Sequence, residues 1–332
     1  MSDVLRLKQI YEGKAKIVFE GENENEVIMQ FKNSLTAFDG VKKAELEGKG
    51  ELNWKISGLL LPFLAKNGIP THLIKILDDR MHECQKVQIY PIEVVCRNKS
   101  AGSFCRRYGV EEGKKFDVPL IEFFYKNDAL HDPVFSDEII QIMNLATENE
   151  LATLRYYCLL INHYLKELFL KGNLELVDFK LEFGKNTEGK IVLADEITPD
   201  TMRLWKIGET DLAEKVLDKD RFRRDLGPVD YGYKQILYFL EKANLSNLSL
   251  TPPKVKIQVN IHLKQSISDA AGDTTLLALN RSNLHFTNVR IGKSIHLEHD
   301  GFISPLKVEE TTQTLLTNPL IENFSISYTM VE

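Results

Sequence analysis

The sequence predicts a two-domain α+β protein, with a larger N-terminal domain and a small C-terminal α/β sandwich. Three observations lead to this. At 332 residues the chain exceeds the usual size of one domain. A seam rich in Asn, Ser and Thr, from Lys242 to Lys254, ends in the pair Pro252-Pro253, which forbids helix continuation. On both sides of the seam, short runs that read as strands are interspersed with helical patterns. The expected organisation is 1–243 for the first domain, 244–253 for a linker and 254–332 for the second domain.

Each element has its own justification. Lys16–Phe19 and Glu26–Phe31 read as strands flanking the polar turn GENEN. Glu51 to Asn67 reads as a helix stopped by Gly68, with Pro70 behind it. Glu148 to Lys171 reads as the strongest helix. Thr147 and Glu150 form a capping box, and Leu151, Leu154, Cys158, Ile161, Leu165 and Leu168 recur at steps of three and four. Leu174 to Gly184 alternates from Val177 onward, so Val177, Phe179, Leu181 and Phe183 share one face and Asp178, Lys180 and Glu182 the other. The polar turn KNTEG then leads into IVLADE, a returning strand that would bring Asp195 near Glu182 in an unspecified register.

Beyond the seam, Val255, Ile257, Val259, Ile261 and Leu263 alternate with polar residues, the signature of a strand buried on one face. A helix around Ser268–Asn280, a strand-pair signal in NVRIGKSIHLE, a helix around Val308–Leu316 and a last strand at Phe324–Met330 complete the domain.

Composition narrows the function classes. Hydrophobic residues make up 43% and charged residues 27%, which is ordinary for a globular protein. The net charge of −6 and pI near 5.9 argue against nucleic acid as the main partner, because phosphate backbones need a basic face. The start, MSDVLRLKQIYEGK, has no apolar core of a secretory signal, and the longest apolar run, Gly58–Ala65, is too short to span a bilayer. A cytoplasmic protein that meets no membrane is expected. Cys84, Cys96, Cys105 and Cys158 have no Cys-x-x-Cys spacing and read as reduced core thiols.

Chemistry concentrates in a few clusters. Asp178, Lys180 and Glu182 on one strand face, opposite Asp195 and Glu196, form a candidate magnesium and phosphate site; the competing reading is a solvated face with cross-strand ion pairs. Gly13, Lys14, Ala15 and Lys16 precede a strand, where glycine lets the backbone approach a phosphate and two lysines can meet a triphosphate. No Walker A motif is present. Arg97, Lys99, Arg106 and Arg107 surround Ser100, Gly102 and Ser103 near an expected helix start, which suits an anion. Two further basic blocks, around Arg203 and over Lys219–Gly227, complete the pattern of an acidic chain that gathers arginine at a few places, as recognition of a small polyanion requires.

The blocks YEGKAK, TAFDGVKKAELEGKGELN, CRNKSAGSFCRRYG, FFYKNDALHDP, LVDFKLEFG, LADEITPDTMRLW and DKDRFRRDLG closely resemble, in order, those of phosphoribosylaminoimidazole-succinocarboxamide (SAICAR) synthetases. The resemblance implies a two-lobed fold with ATP between the lobes, distantly like protein kinases and ATP-grasp enzymes. It implies ATP and Mg²⁺ as cofactors and ligation of CAIR with L-aspartate to give SAICAR, ADP and phosphate. By the same resemblance, Gly13, Lys14, Ala15, Lys16 and Lys126 contact the nucleotide, and Glu182 and Asp195 bind metal. Asp39, Arg97, Ser103, Asp178, Lys180, Arg203 and Arg223 contact substrate. Asn127, His131 and Asp132 lie in a matching block without assigned roles. Lys180 is the expected catalytic cation, and Asp178 is the candidate base.

KVKIQV, NVRIGKSIHLE and LLTNPLIENFSI resemble the PurS-type small subunit of formylglycinamide ribonucleotide amidotransferase. KQSISDAAGDTT departs from the proline- and glycine-bearing pattern expected there. The resemblance implies a bifunctional fusion, homo-oligomerisation and docking to the large amidotransferase subunit. A nucleotide-binding, non-catalytic scaffold is the alternative from another class. A protein kinase is disfavoured by the lack of an HRD-type loop.

Overall fold

The computed structural model describes residues 7–37, 41–282 and 285–331. These fall into two compact units, Met1–Ala146 with Tyr157–Thr251, and Thr147–Tyr156 with Pro252–Glu332.

The first unit opens with β1 (Gln9–Glu12), β2 (Lys16–Glu20) and β3 (Glu26–Phe31), then the small hairpin β4 (Ser34–Ala37) and β5 (Lys42–Glu45). Helix α1 (Lys49–Lys66) follows and ends as the sequence predicts. Gly68 adopts φ 91°, and the Ile69 N–H reaches back to the Leu64 carbonyl at 3.1 Å. Leu60, Leu61 and Leu64 of this helix are fully buried, each contributing about 1.5–3 kcal/mol of apolar burial. With β6 (Leu73–Ile76) and β7 (Met81–Gln85), the first three strands form an antiparallel sheet in the order β1-β2-β3-β7-β6.

A second sheet is built from β8 (Gln88–Lys99), β9 (Lys115–Tyr125), β10 (Val134–Phe135), β11 (Leu174–Lys185), β12 (Ile191–Ala194) and β13 (Met202–Lys206). Between these strands lie α2 (Ser103–Tyr108), α3 (Asp137–Ile142) and α4 (Glu148–Lys171), and after them α5 (Leu212–Lys215), α6 (Asp220–Arg223) and α7 (Val229–Lys242). Strand β11 is central, with β8 on one side and β12 and β13 on the other. Val177, Phe179, Leu181 and Phe183 are buried on its apolar face. Asp178 and Glu182 on the opposite face are also buried, so this is not a solvated face.

The capping box of α4 forms in both directions: the Thr147 N–H donates to Glu150 at 2.8 Å and the Glu150 N–H to Thr147 Oγ1 at 3.3 Å. All six apolar residues of its predicted stripe are buried. Its first turns cluster with the second unit, where Tyr156 stacks on Tyr328 with centroids 4.5 Å apart and Asn149 Oδ1 accepts from the Ile326 N–H.

The rest of the second unit is β14 (Lys254–Leu263), α8 (Ala270–Asn280), β15 (Gly292–Asp300), α9 (Pro305–Thr311) and β16 (Glu322–Val331), with strand order β15-β14-β16. Val255, Ile257, Val259 and Ile261 are buried as the alternation requires. NVRIGKSIHLE forms one strand rather than a pair, since all of Gly292–Asp300 runs antiparallel along β14. Val308–Leu316 divides into the end of α9 and a π turn over Thr312–Leu316. No described helix is long and apolar enough to cross a membrane.

Candidate active site

Side chains from both sheets of the first unit line a cleft of about 1290 Å³. The β1–β2 turn contributes Gly13, Lys14, Ala15 and Lys16, and the Gly13 N–H closes the turn on the Lys16 carbonyl at 2.9 Å. Across from it lies the β11–β12 hairpin, whose register pairs Glu182 with Ala194 and brings Asp195, the next residue, beside Glu182. Asp195 takes the left-handed conformation, φ 62°, which is uncommon outside glycine, is tolerated by Asp and is steadied by local restraints. The buried His72 supplies one such restraint. Its Nε2 meets the Asp195 carbonyl oxygen at 3.0 Å. Burial and the Lys16 charge push His72 down to about 3, so the ring is neutral and Nε2 must carry the proton to donate.

Carboxylates outnumber ammoniums at this end of the cleft. Lys16 bridges Asp195 and Glu196, Lys126 pairs with Glu182, and Lys180 lies 2.6 Å from Glu93 and 3.8 Å from Glu182. Four carboxylates thus face three lysines. Burial alone would raise Glu182, but Lys180, Lys126 and Lys16 overcome it and hold the carboxyl at about 2. Lys180 is raised above the ordinary lysine value, because Glu93 and Glu182 outweigh its desolvation. Among the described residues no three Asp, Glu, His or Cys side chains assemble a metal cage. The donor set still fits Mg²⁺, which needs one or two carboxylates with nucleotide phosphates and water as the remaining ligands. Its excess negative charge calls for a cation.

The other end is organised by arginine. Register places Arg97 of β8 and Arg203 of β13 on either side of Asp178, and both guanidiniums donate to it at 2.8 Å. Arg97 also donates to Glu122 at 2.6 Å and to Ser103 Oγ at 3.4 Å. Arg203 donates to Asp220 at 2.8 Å, and Arg223 to the same carboxylate at 2.5 Å. Both oxygens of Asp178 therefore accept from guanidiniums, which makes it an orienting carboxylate. Oδ2 accepts from both arginines, whereas Oδ1 accepts from Arg203 alone and keeps a second lone pair.

Gly102, at φ 56°, lies against this pair. A Cβ there would stand 2.3 Å from Arg203 Nη2. Gly102→Ala is therefore expected to displace Arg203 and weaken binding of an anionic substrate about tenfold or more, the usual scale for a charge-assisted hydrogen bond. Titration calorimetry with CAIR, the substrate that the sequence resemblance implies, checks this; unchanged affinity would show that Arg203 yields without cost.

Of the other predicted residues, Lys14 pairs with Asp128 at 2.8 Å, and the Asn127 N–H donates to Asp132 at 2.8 Å. Asp132 lines the cleft, whereas Asn127 and His131 are not among its lining residues. Asp39 lies outside the described residues. Several participants escaped the sequence reading. Glu93 and Glu122 are lone acids in the apolar runs PIEVVC and LIEFFY, and an acid at such a position is itself a signal of a buried partner. Asp200, Lys219 and Asp220 lay inside quoted blocks, hidden by the arginines beside them.

The family model for SAICAR synthetase matches residues 9–238. The chain belongs to the SAICAR synthetase family. It is 50% identical over 228 residues to the phosphoribosylaminoimidazole-succinocarboxamide synthase of Caldanaerobacter subterraneus subsp. tengcongensis, covering 69% of this chain and 95% of that relative. Among solved structures, the synthase from Ehrlichia chaffeensis is 46% identical with a TM-score of 0.68, covering 70% of this chain and 98% of that one. A SAICAR synthetase solved in complex with ADP is 40% identical with a TM-score of 0.67, covering 70% and 97%. A second family model, PurS, described as phosphoribosylformylglycinamidine (FGAM) synthase, matches residues 256–330. The chain is thus a ligase of the SAICAR synthetase family that carries a PurS-family domain.

Proposed function

We propose that the enzyme uses ATP to ligate CAIR with L-aspartate, giving SAICAR, ADP and phosphate. The observation that carries this is the opposed charge of one cleft in a chain of this family, carboxylate-rich beside Asp195 and guanidinium-rich beside Asp178. A carboxylate at neutral pH is a poor electrophile. In the proposed reaction its oxygen attacks the γ-phosphorus, the bond to the β-phosphate oxygen breaks, and ADP leaves. The aspartate amine then attacks the acyl phosphate carbon, inorganic phosphate departs and the amine loses a proton.

Gly13, Lys14, Ala15, Lys16 and Lys126 hold the triphosphate. Arg97, Ser103, Arg203, Arg223 and Lys180 hold the imidazole nucleotide, and Asp178 fixes the two arginines that face it. Glu182 and Asp195 hold Mg²⁺, which when bound offsets charge on the transferring phosphoryl oxygens. The main contribution of these side chains is alignment of three anionic reactants, which can be worth about 7–11 kcal/mol. Lys180 is well suited to remain cationic throughout, since Glu93 and Glu182 hold its proton.

The proposal extends to a cytoplasmic setting, a homo-oligomer, a division of labour at 1–243 and 254–332, and docking of the PurS-family domain to a large amidotransferase subunit. The test of the ligase is steady-state ADP release, beyond one equivalent per enzyme, that requires CAIR and aspartate together. ADP binding with no release under any combination would favour the scaffold reading. Capture of the large subunit by the full chain tests the docking.

A further inference from the structure

We propose that Lys219 is a binding site for a substrate carboxylate, a site set apart from the arginine cluster; this rests on the ligase reading above. The cleft's other lining cations either have anionic partners or, as with Lys43 and Lys86, stand exposed to water. Lys16, Lys126 and Lys180 pair with the carboxylates at the metal end, and Arg97 and Arg203 share Asp178. Lys219 lines the same cleft and is partly buried, yet its ammonium makes no ion pair or hydrogen bond with any described residue.

The acids around it are engaged elsewhere. Asp200 is held by Lys49 at 2.5 Å, Asn53 at 2.9 Å and Tyr233 at 2.6 Å, which occupies both of its oxygens. Asp218 accepts from the N–H groups of Leu204 and Asp220. Asp220 takes Arg203 and Arg223. The backbone of Lys219 is fixed as well, since its N–H donates to the Pro199 carbonyl at 3.1 Å and its own carbonyl accepts from Phe222 at 3.0 Å.

An ammonium withdrawn from water with no direct ion pair, and only the charge of Asp200, itself bound by Lys49, acting on it, is costly to keep, and an incoming anion relieves that cost. The environment agrees: burial pushes the Lys219 amine down to about 8. The charges facing it are Asp200, which raises it, and Arg223, Lys49 and Lys180, which lower it further. The triphosphate and the ribose phosphate have cationic partners in the reading above, so the anion left for Lys219 is a carboxylate, from the amino diacid or from the imidazole acid.

Steady-state kinetics on the full chain, varying each substrate in turn, tests this. Lys219→Met is expected to raise KM for one carboxylate substrate about tenfold or more, the scale of a lost charge-assisted hydrogen bond, with KM for ATP within about twofold. Which of the two carries the rise names the carboxylate. In the parent enzyme that KM should climb as pH rises through about 8, where the ammonium is lost. Lys219→Arg, whose guanidinium does not titrate there, should flatten the climb even if the Met variant folds poorly. A rise confined to ATP, no rise for either carboxylate substrate, or an unchanged pH profile in Lys219→Arg overturns the proposal. Failure of the parent enzyme to release ADP with both substrates would instead sink the ligase reading.

Discussion

Glu182→Gln and Asp195→Asn are each expected to depress ligation by about 10²–10⁴-fold while leaving the chain folded. Removing a ligand from a metal that stabilises transferring phosphoryl oxygens costs several kcal/mol of transition-state stabilisation, and each 1.36 kcal/mol is a factor of ten. Both substitutions are isosteric, so packing around β11 and β12 changes little. Lys126, which would lose its partner in Glu182→Gln, is 40% exposed and can return to water. Each variant keeps one of the two carboxylates, Glu182 in Asp195→Asn and Asp195 in Glu182→Gln, so a Mg²⁺ titration should recover part of the rate in both. Turnover measured across that titration, with circular dichroism as the fold control, decides the matter. Near-normal turnover in either variant removes that residue from the metal site.

Glu182 also makes a pH-dependent contribution to stability. Its folded-state value, about 2, lies below the ordinary 4.5, so the native state binds its proton less tightly than the unfolded chain does. The stabilisation is fully present above about 4.5 and is lost as pH falls through about 2.

The elements were legible wherever local physics determines them. The capping box, the three-and-four stripe of α4, the Gly68 stop and the alternation of β14 are all short-range patterns with a single solution. The polar face of β11 was legible as a set, Asp178, Lys180 and Glu182, but not as a buried one. Alternation tells which residues share a face and not what lies over it, and here Glu93 and Arg97 of β8 and Arg203 of β13 reach across from the neighbouring strands to pair with it. Pairing register is a long-range property, so Arg97, Asp178 and Arg203 could be quoted from three blocks without any sign that they make one ion-pair cluster. The seam around Pro252-Pro253 was visible in composition. The clustering of Thr147–Tyr156 with the second unit was not, because the helical stripe runs without a break through Cys158. For the site residues named by resemblance, the structure supplies burial and partners, and substitution experiments must supply roles.

The second large effect is expected at a buried ion pair beneath the cleft. Lys49 and Asp200 are 1% and 4% exposed and lie 2.5 Å apart, and the network is completed by Asn53 and Tyr233. Burial would raise the Asp200 carboxyl, but Lys49, Lys219 and its hydrogen bonds hold it well below the ordinary range. Asp200→Asn leaves Lys49 charged and buried without its counter-ion, and such a change costs about 3–5 kcal/mol. Lys49→Met makes the complementary error and should cost a similar amount. The double variant, Lys49→Met with Asp200→Asn, removes both charges and should be less destabilised than the sum of the two single changes, because a buried pair is worth far less than the penalty for breaking it. Both tryptophans, Trp54 and Trp205, belong to the first unit, so guanidinium unfolding followed by tryptophan fluorescence reports on that unit. Additive losses in the double variant would mean that the two side chains are solvated independently and that the pair does not tie α1 to the loop preceding β13.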